Sequence, residues 1–213
     1  MRIWNAMLVE EKELFAMEKL EVQSCAVQSL EELRALVGTH HEAVVQKSIG
    51  LISEEAKGFI VQSPLLFLST SSRDGACDVS PRGDAPGFVH VANPQQLVIP
   101  ERPGNKRVDS LCNILENPHV GLLFLIPGME EVLRVNGRAT VIKEHPVLEL
   151  LKLKNKAPLL GIVVEVEECF IHCPRALNHS GIWEQDSWPA KEQLPSSMDI
   201  FQSHLKISGY TRE

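Results

Sequence analysis

Apolar and polar positions change their period once along this chain, near Pro64. Before Pro64 the spacing is helical. Ser29 caps a segment in which Glu32 closes a capping box, Leu30, Leu33 and Val37 share one buried face, and Gly38 ends the helix. A second helix is predicted over 41–49. A third starts at Ser53, carries Glu54 and Glu55 in its first turn, directs Ala56, Phe59 and Ile60 inward, and stops at Pro64. After Pro64 the texture is that of strands, predicted over 65–71, 77–80, 88–92, 96–100, 120–126, 131–141 and 160–166. Arg73-Asp74-Gly75 has the chemistry of a hairpin turn, and Gly137 marks a bulge position. Residues 170–172 extend the last strand past a kink at an acidic run. Short helices are predicted over 108–117, where Val108, Leu111, Cys112 and Leu115 fall on one face, and over 145–154.

Most connections between these strands are too short for parallel crossovers. The expected fold is therefore mainly β, an antiparallel barrel or sandwich with helices at its margins. Residues 1–28 read as an N-terminal helical arm, in which Leu8, Phe15 and Leu20 line one face. Residues 29–195 form the main domain and 196–213 a C-terminal tail. The chain from Trp183 onward, rich in Ser, Pro and Gln, is expected to wrap over the surface.

Composition narrows the function. The net charge of −7 argues against nucleic-acid binding, which needs a basic face, while leaving room for a local anion site. Five widely spread cysteines with no repeated spacing suggest no disulfide framework and a reducing cytoplasm. No apolar run reaches membrane-spanning length, and Glu10, Glu11 and Glu13 stand where a signal peptide needs apolar residues.

Candidate chemistry lies in a few stretches. In 99–107 a strand ending at Ile99 and Pro100 turns through Pro103-Gly104 and presents Asn105, Lys106 and Arg107 to a helix N-terminus. Free backbone N–H groups and the helix dipole suit a phosphate there, and a solvated basic turn is the simpler alternative. In 80–88, two prolines and two glycines hold Ser80, Arg82 and Asp84 in a stiff loop. That loop is either a polar clamp for a planar ligand or a closed unit in which Asp84 pairs with Arg82. Arg134 and Arg138 project from one strand face, as a solvated surface or as a cationic wall. Cys169, His172 and Cys173 lack the fourth ligand and the spacing of a zinc site, so no metal is expected. Trp183 reads as an anchor for the tail or a cover for a flat cofactor.

Taken together, 59–64, 80–88, 99–107, 113–118, 133–139 and 172–177 resemble the FMN-binding split-barrel family named after pyridoxamine 5'-phosphate oxidase. The resemblance implies a six-stranded antiparallel split β-barrel that dimerises and holds FMN at the subunit interface. It places the FMN phosphate on Asn105, Lys106 and Arg107, and backbone contacts to the flavin ring on Ile99 and Pro100. It puts Ser80, Arg82 and Asp84 beside the phosphate and ring, and Trp183 where a partner's tail aromatic approaches the flavin. Arg134 and Arg82 are candidates to stabilise negative charge on the reduced flavin, and Arg175 is carried over with His172 and Cys173. The tail after Trp183 runs Glu184, Gln185, Asp186, Ser187 and lacks the Arg-Leu-His segment that holds substrate phosphate in the true oxidases. The implied function is an FMN-dependent oxidoreductase acting on a small organic molecule other than a pyridoxal phosphate precursor. A flavin carrier without turnover, or a binder of deazaflavin or haem with His172 as axial ligand, are the alternatives. No side chain reads as a catalytic acid or base.

Overall fold

The computed structural model describes residues 20–211 and divides into two compact units, with the chain boundary between Val45 and Gln46. The expected apolar face of Leu8 and Phe15 lies outside the described residues. In the first unit, helix α1 (Leu30–Val37) forms as its caps predict: Ser29 accepts from the Glu32 amide, and Gly38 takes φ +78°. Its apolar face is not buried, however. Leu30, Leu33 and Val37 are all exposed, because the short neighbouring segments Gln23–Cys25 and Glu42–Gln46 provide no second layer. We call Glu42–Gln46 α2; it is shorter than the helix predicted over 41–49.

The second unit is built on one sheet. Helix α2's successor, α3 (Glu54–Gln62), leads into strands β1 (Leu65–Ser71), β2 (Cys77–Gly83), β3 (His90–Asn93) and β4 (Gln96–Pro100). Helix α4 (Asp109–Glu116) then precedes β5 (His119–Leu125), β6 (Val132–Lys143) and β7 (Leu160–His172). The chain closes with α5 (Arg175–Ser180) and α6 (Ser197–Ile207). The tail from Trp183 contains an α-helix that its composition did not announce, and the helix predicted over 145–154 is a 3-10 segment, Pro146–Leu151.

The strand order is β2-β1-β5-β6-β7-β4-β3, every pairing antiparallel. Among the described residues the sheet has seven hydrogen-bonded strands, the number the pattern predicts and one more than the resemblance implies, and no ladder joins its two edges. Period-2 alternation places Leu66, Leu68, Leu97, Ile99, Leu122, Phe124, Val135, Ile162 and Val164 on one face, all buried in a single core. Residues paired across strands share a face, so the register fixes which side chains point into that core. The acidic run in β7 does produce an irregularity: the β6–β7 register shifts between Asn136 and Gly137, skipping Glu167. Gly137 is required there by close approach, since a Cβ on it would lie 2.0 Å from the Glu165 carbonyl oxygen.

Candidate functional site

Side chains join the edge strand β2 to the chain leaving β4, the strand next to the opposite edge. β2 continues through Ser80, Pro81 and Arg82 to Gly83, so the stretch read as a stiff loop is an edge strand, a place that tolerates proline. Its far neighbour in the seam is the end of β4. There Arg82 Nη1 donates to Glu101 Oε2, and Arg102 Nε donates to Asp84 Oδ2 at 2.9 Å. Arg102 Nη1 also donates to the Leu151 carbonyl at 2.8 Å. All four charged side chains are at least three-quarters buried, with exposures of 15% for Arg82, 19% for Glu101, 22% for Arg102 and 14% for Asp84. Asp84 therefore does not pair with Arg82. Each strand end contributes one cation and one carboxylate, and the pairs cross. Glu101 and Arg102 are the residues that the sequence reading missed as members of this site. Their place beside the predicted Ile99–Pro100 backbone was the only signal.

The seam also leaves donors and backbone unspent. Arg82 Nε is buried and has no hydrogen-bond partner. A buried donor left unpaired costs about 1–3 kcal/mol, and the same guanidinium makes one side-chain hydrogen bond, at Nη1, with its Nη2 group unpaired and not enclosed. β3 covers β4 only as far as Val98, so Ile99 and Pro100 have a strand partner on the β7 side alone. The Ile99 side chain is fully buried in the core, which confines that residue to backbone contacts.

The predicted anion loop follows directly. Lys106 takes φ +65° and Val108 φ +53°. The left-handed region is uncommon for a non-glycine residue and an outlier for β-branched valine. Val108 sits at the N-cap of α4 and supplies no side-chain cap; Leu111 and Cys112 donate to its carbonyl, and the Asp109 and Ser110 amides keep their donors. Asn105 Oδ1 accepts from the Arg107 amide at 3.0 Å, and Arg107 Nε donates to Asp109 Oδ2 at 2.5 Å. Among the described residues Lys106 is the one cation of this loop without an acidic partner. Asn113 pins α4 by donating to Thr70 Oγ1 at 3.0 Å and Asp78 Oδ2 at 2.8 Å, and Asn117 donates to Ser71 Oγ at 2.8 Å. These contacts run toward the β1–β2 turn, so the N-terminus of α4 points back along β2. Ser80 and Arg82 lie on that same face, paired opposite Leu68 and Leu66.

Arg134 is not brought to this place. It pairs opposite Leu123 and Phe170, on the outer face of the sheet, whereas Ser80 and Arg82 share the inner face with Leu66 and Leu68. Arg134 lies 5.5 Å from the Phe170 ring centroid, with Lys47 at 5.3 Å, and its Nε donates to Asn136 Oδ1 at 3.2 Å. Asn136 and Ser48 both donate to Glu168, which is half-buried. Beside this cluster a cavity of about 400 Å³ opens between α3, the start of β6 and the end of β7, with Phe59, Met129, Leu133 and Cys169 in its wall. Burial pushes the Cys169 thiol up to about 11. His172 stacks on Phe170 at 6.2 Å between centroids, and Arg175 is exposed at the start of α5. Trp183 donates its indole N–H to the Met129 carbonyl at 2.9 Å, so it anchors the tail onto its own chain.

A family model described as pyridoxamine 5'-phosphate oxidase matches residues 52–173, which span every strand of the sheet. The chain belongs to the pyridoxamine 5'-phosphate oxidase family. No curated protein matches it. Among solved structures it is similar to HupZ of Group A Streptococcus, at 19% identity over 56% of this chain and 93% of that one, with a TM-score of 0.47. It is also similar to an FMN-binding protein of Syntrophomonas wolfei (14% identity, 67% and 92% covered, TM-score 0.41). A third is HutZ, a haem storage protein of Vibrio cholerae (14% identity, 57% and 93% covered, TM-score 0.41). No helix among the described residues is long and apolar enough to cross a membrane.

Proposed function

We propose that this protein binds FMN with its phosphate at the seam and acts as an FMN-dependent oxidoreductase on a small organic molecule. The observation that carries the reading is Arg82, whose guanidinium is engaged only at Nη1 and keeps Nη2 unpaired on the face toward which the uncapped N-terminus of α4 points. A phosphate suits such a place, because it offers several acceptor oxygens to a guanidinium, to free helix amides and to a lysine at once. Ser80, Arg82, Asn105, Lys106 and Arg107 would hold it, with Arg107 exchanging its exposed partner Asp109 for the ligand. Ile99 and Pro100 would face the flavin ring through backbone atoms. Bound FMN would supply the redox chemistry, and the protein binding, orientation and charge.

The same reading includes a homodimer. The outer face of β2, β1 and β5 carries Val79, Phe67 and Leu123, with Val79 and Leu123 exposed. A second copy would cover this face. Arg134, on the side of the sheet away from its own chain's Arg82, would then serve the second copy's flavin. The substrate is placed outside the pyridoxal phosphate precursors because the tail offers no phosphate-holding segment.

The test is the visible spectrum of the purified protein followed by titration with FMN. Flavin maxima and release of FMN on denaturation support the reading; a colourless protein that takes up no FMN refutes it. Reduction by NADH or NADPH in stopped flow, then reoxidation in air, separates an enzyme from a carrier.

A further inference from the structure

We propose that Glu101 is a positioning residue for the phosphate site, holding the Arg82 guanidinium by Nη1 so that its remaining donors serve an anionic ligand. The inference rests on the FMN reading above.

The two crossed pairs of the seam are not equivalent. Arg102 is engaged twice, at Asp84 and at the Leu151 carbonyl, and no buried donor of it lacks a partner. That pair suffices to tie the end of β4 to the end of β2. Arg82 is engaged once, at Glu101, and keeps a buried Nε without an acceptor. As a brace, such a pair is poor, because the unpaired donor costs much of what the ion pair contributes. As a holder, it is well made. An arginine on an edge strand has four flexible torsions to restrict, and a single carboxylate contact at Nη1 restricts them while leaving Nη2, unpaired and not enclosed, to serve a ligand. Glu101 can do this because β3 has already stopped at Val98, while the Glu101 amide still donates to the Leu160 carbonyl of β7 at 3.0 Å and its side chain reaches Arg82. The same backbone then enters the strained loop at Lys106 and Val108. One residue thus fixes the guanidinium and the start of the anion loop relative to each other.

The experiment measures FMN and riboflavin affinity side by side, by quenching of flavin fluorescence, for the wild type, Glu101→Ala and Glu101→Gln, with thermal melts in parallel. Riboflavin lacks the phosphate and reports on everything else in the site. The wild type prefers FMN. Glu101→Ala loses about tenfold or more of its FMN affinity, the size of one charge-assisted contact, while riboflavin affinity holds within about twofold. Glu101→Gln keeps a side-chain acceptor for Nη1 and recovers most of the loss. Should Glu101→Ala fail to fold, Glu101→Asp, which withdraws the carboxylate by one methylene, carries the same ratio test. Equal losses for both flavins would make Glu101 a structural brace and overturn the inference. FMN binding as tight as or tighter than wild type would make Glu101 a competitor of the phosphate, and would overturn it too. A wild type without preference for FMN over riboflavin overturns the phosphate reading itself, and this inference with it.

Discussion

If side chains close the seam, removing Arg102 should be costly in a protein whose sheet is otherwise intact. Arg102→Met keeps the apolar stem and removes only the guanidinium. Two hydrogen bonds from a charged group go with it, to Asp84 Oδ2 at 2.9 Å and to the Leu151 carbonyl at 2.8 Å. Such bonds are worth about 1.5–3 kcal/mol each when buried, and the one-fifth exposure of Arg102 moves them toward the low end. The lost partner also leaves Asp84, 14% exposed, without its cation. The expected cost is about 2–3 kcal/mol, or roughly 4–12 °C in melting temperature for a domain of this size. A double-mutant cycle with Asp84→Asn should show coupling of about 1 kcal/mol or more. The assay is thermal or urea unfolding followed by circular dichroism. A variant that melts within about 1 °C of wild type would show that the seam is not tied there.

Other expectations follow from single contacts. Gly137→Ala places a Cβ 2.0 Å from a backbone oxygen that cannot swing aside, so it should cost about 3 kcal/mol or more in urea unfolding. Cys169, buried with its thiol pushed up to about 11 from an ordinary value of 9.0, should resist alkylation while exposed Cys25, Cys77, Cys112 and Cys173 react. A raised folded value means that burial of the protonated thiol contributes stability fully below pH 9 and loses it as pH rises toward 11. Cys169→Ala should flatten that alkaline part of the stability profile. Lys106→Ala with Arg107→Ala should weaken FMN binding at least about tenfold, leaving the melting temperature of the free protein nearly unchanged, since both side chains are exposed.

The strands were readable because alternation with period two survives in β1, β5 and β6, and caps such as Ser29 and Ser53 act locally. Pro81 misled the reading at β2, because a proline looks like a break until the strand is known to lie at an edge. The burial of Leu30, Leu33 and Val37 was expected from spacing alone, but spacing shows only that a face exists, not that anything covers it. The crossed pairs were not readable at all. They join residues 18 and 19 positions apart in sequence from strands at distant places in the sheet order, and only the curl of the whole sheet brings them together. The same holds for Arg134: sharing a motif-rich sequence with Arg82 said nothing of the register that sends the two to opposite faces.

The central claim is that an anion loop and an edge-strand arginine meet at the seam to take the phosphate of FMN. Fluorescence titration of the purified protein with FMN and with riboflavin, at low and high salt, tests it most directly. The account predicts one saturable FMN site per chain, FMN at least about tenfold tighter than riboflavin, and a preference that shrinks as salt rises. Equal affinity for the two flavins, or no saturable FMN binding, would contradict it.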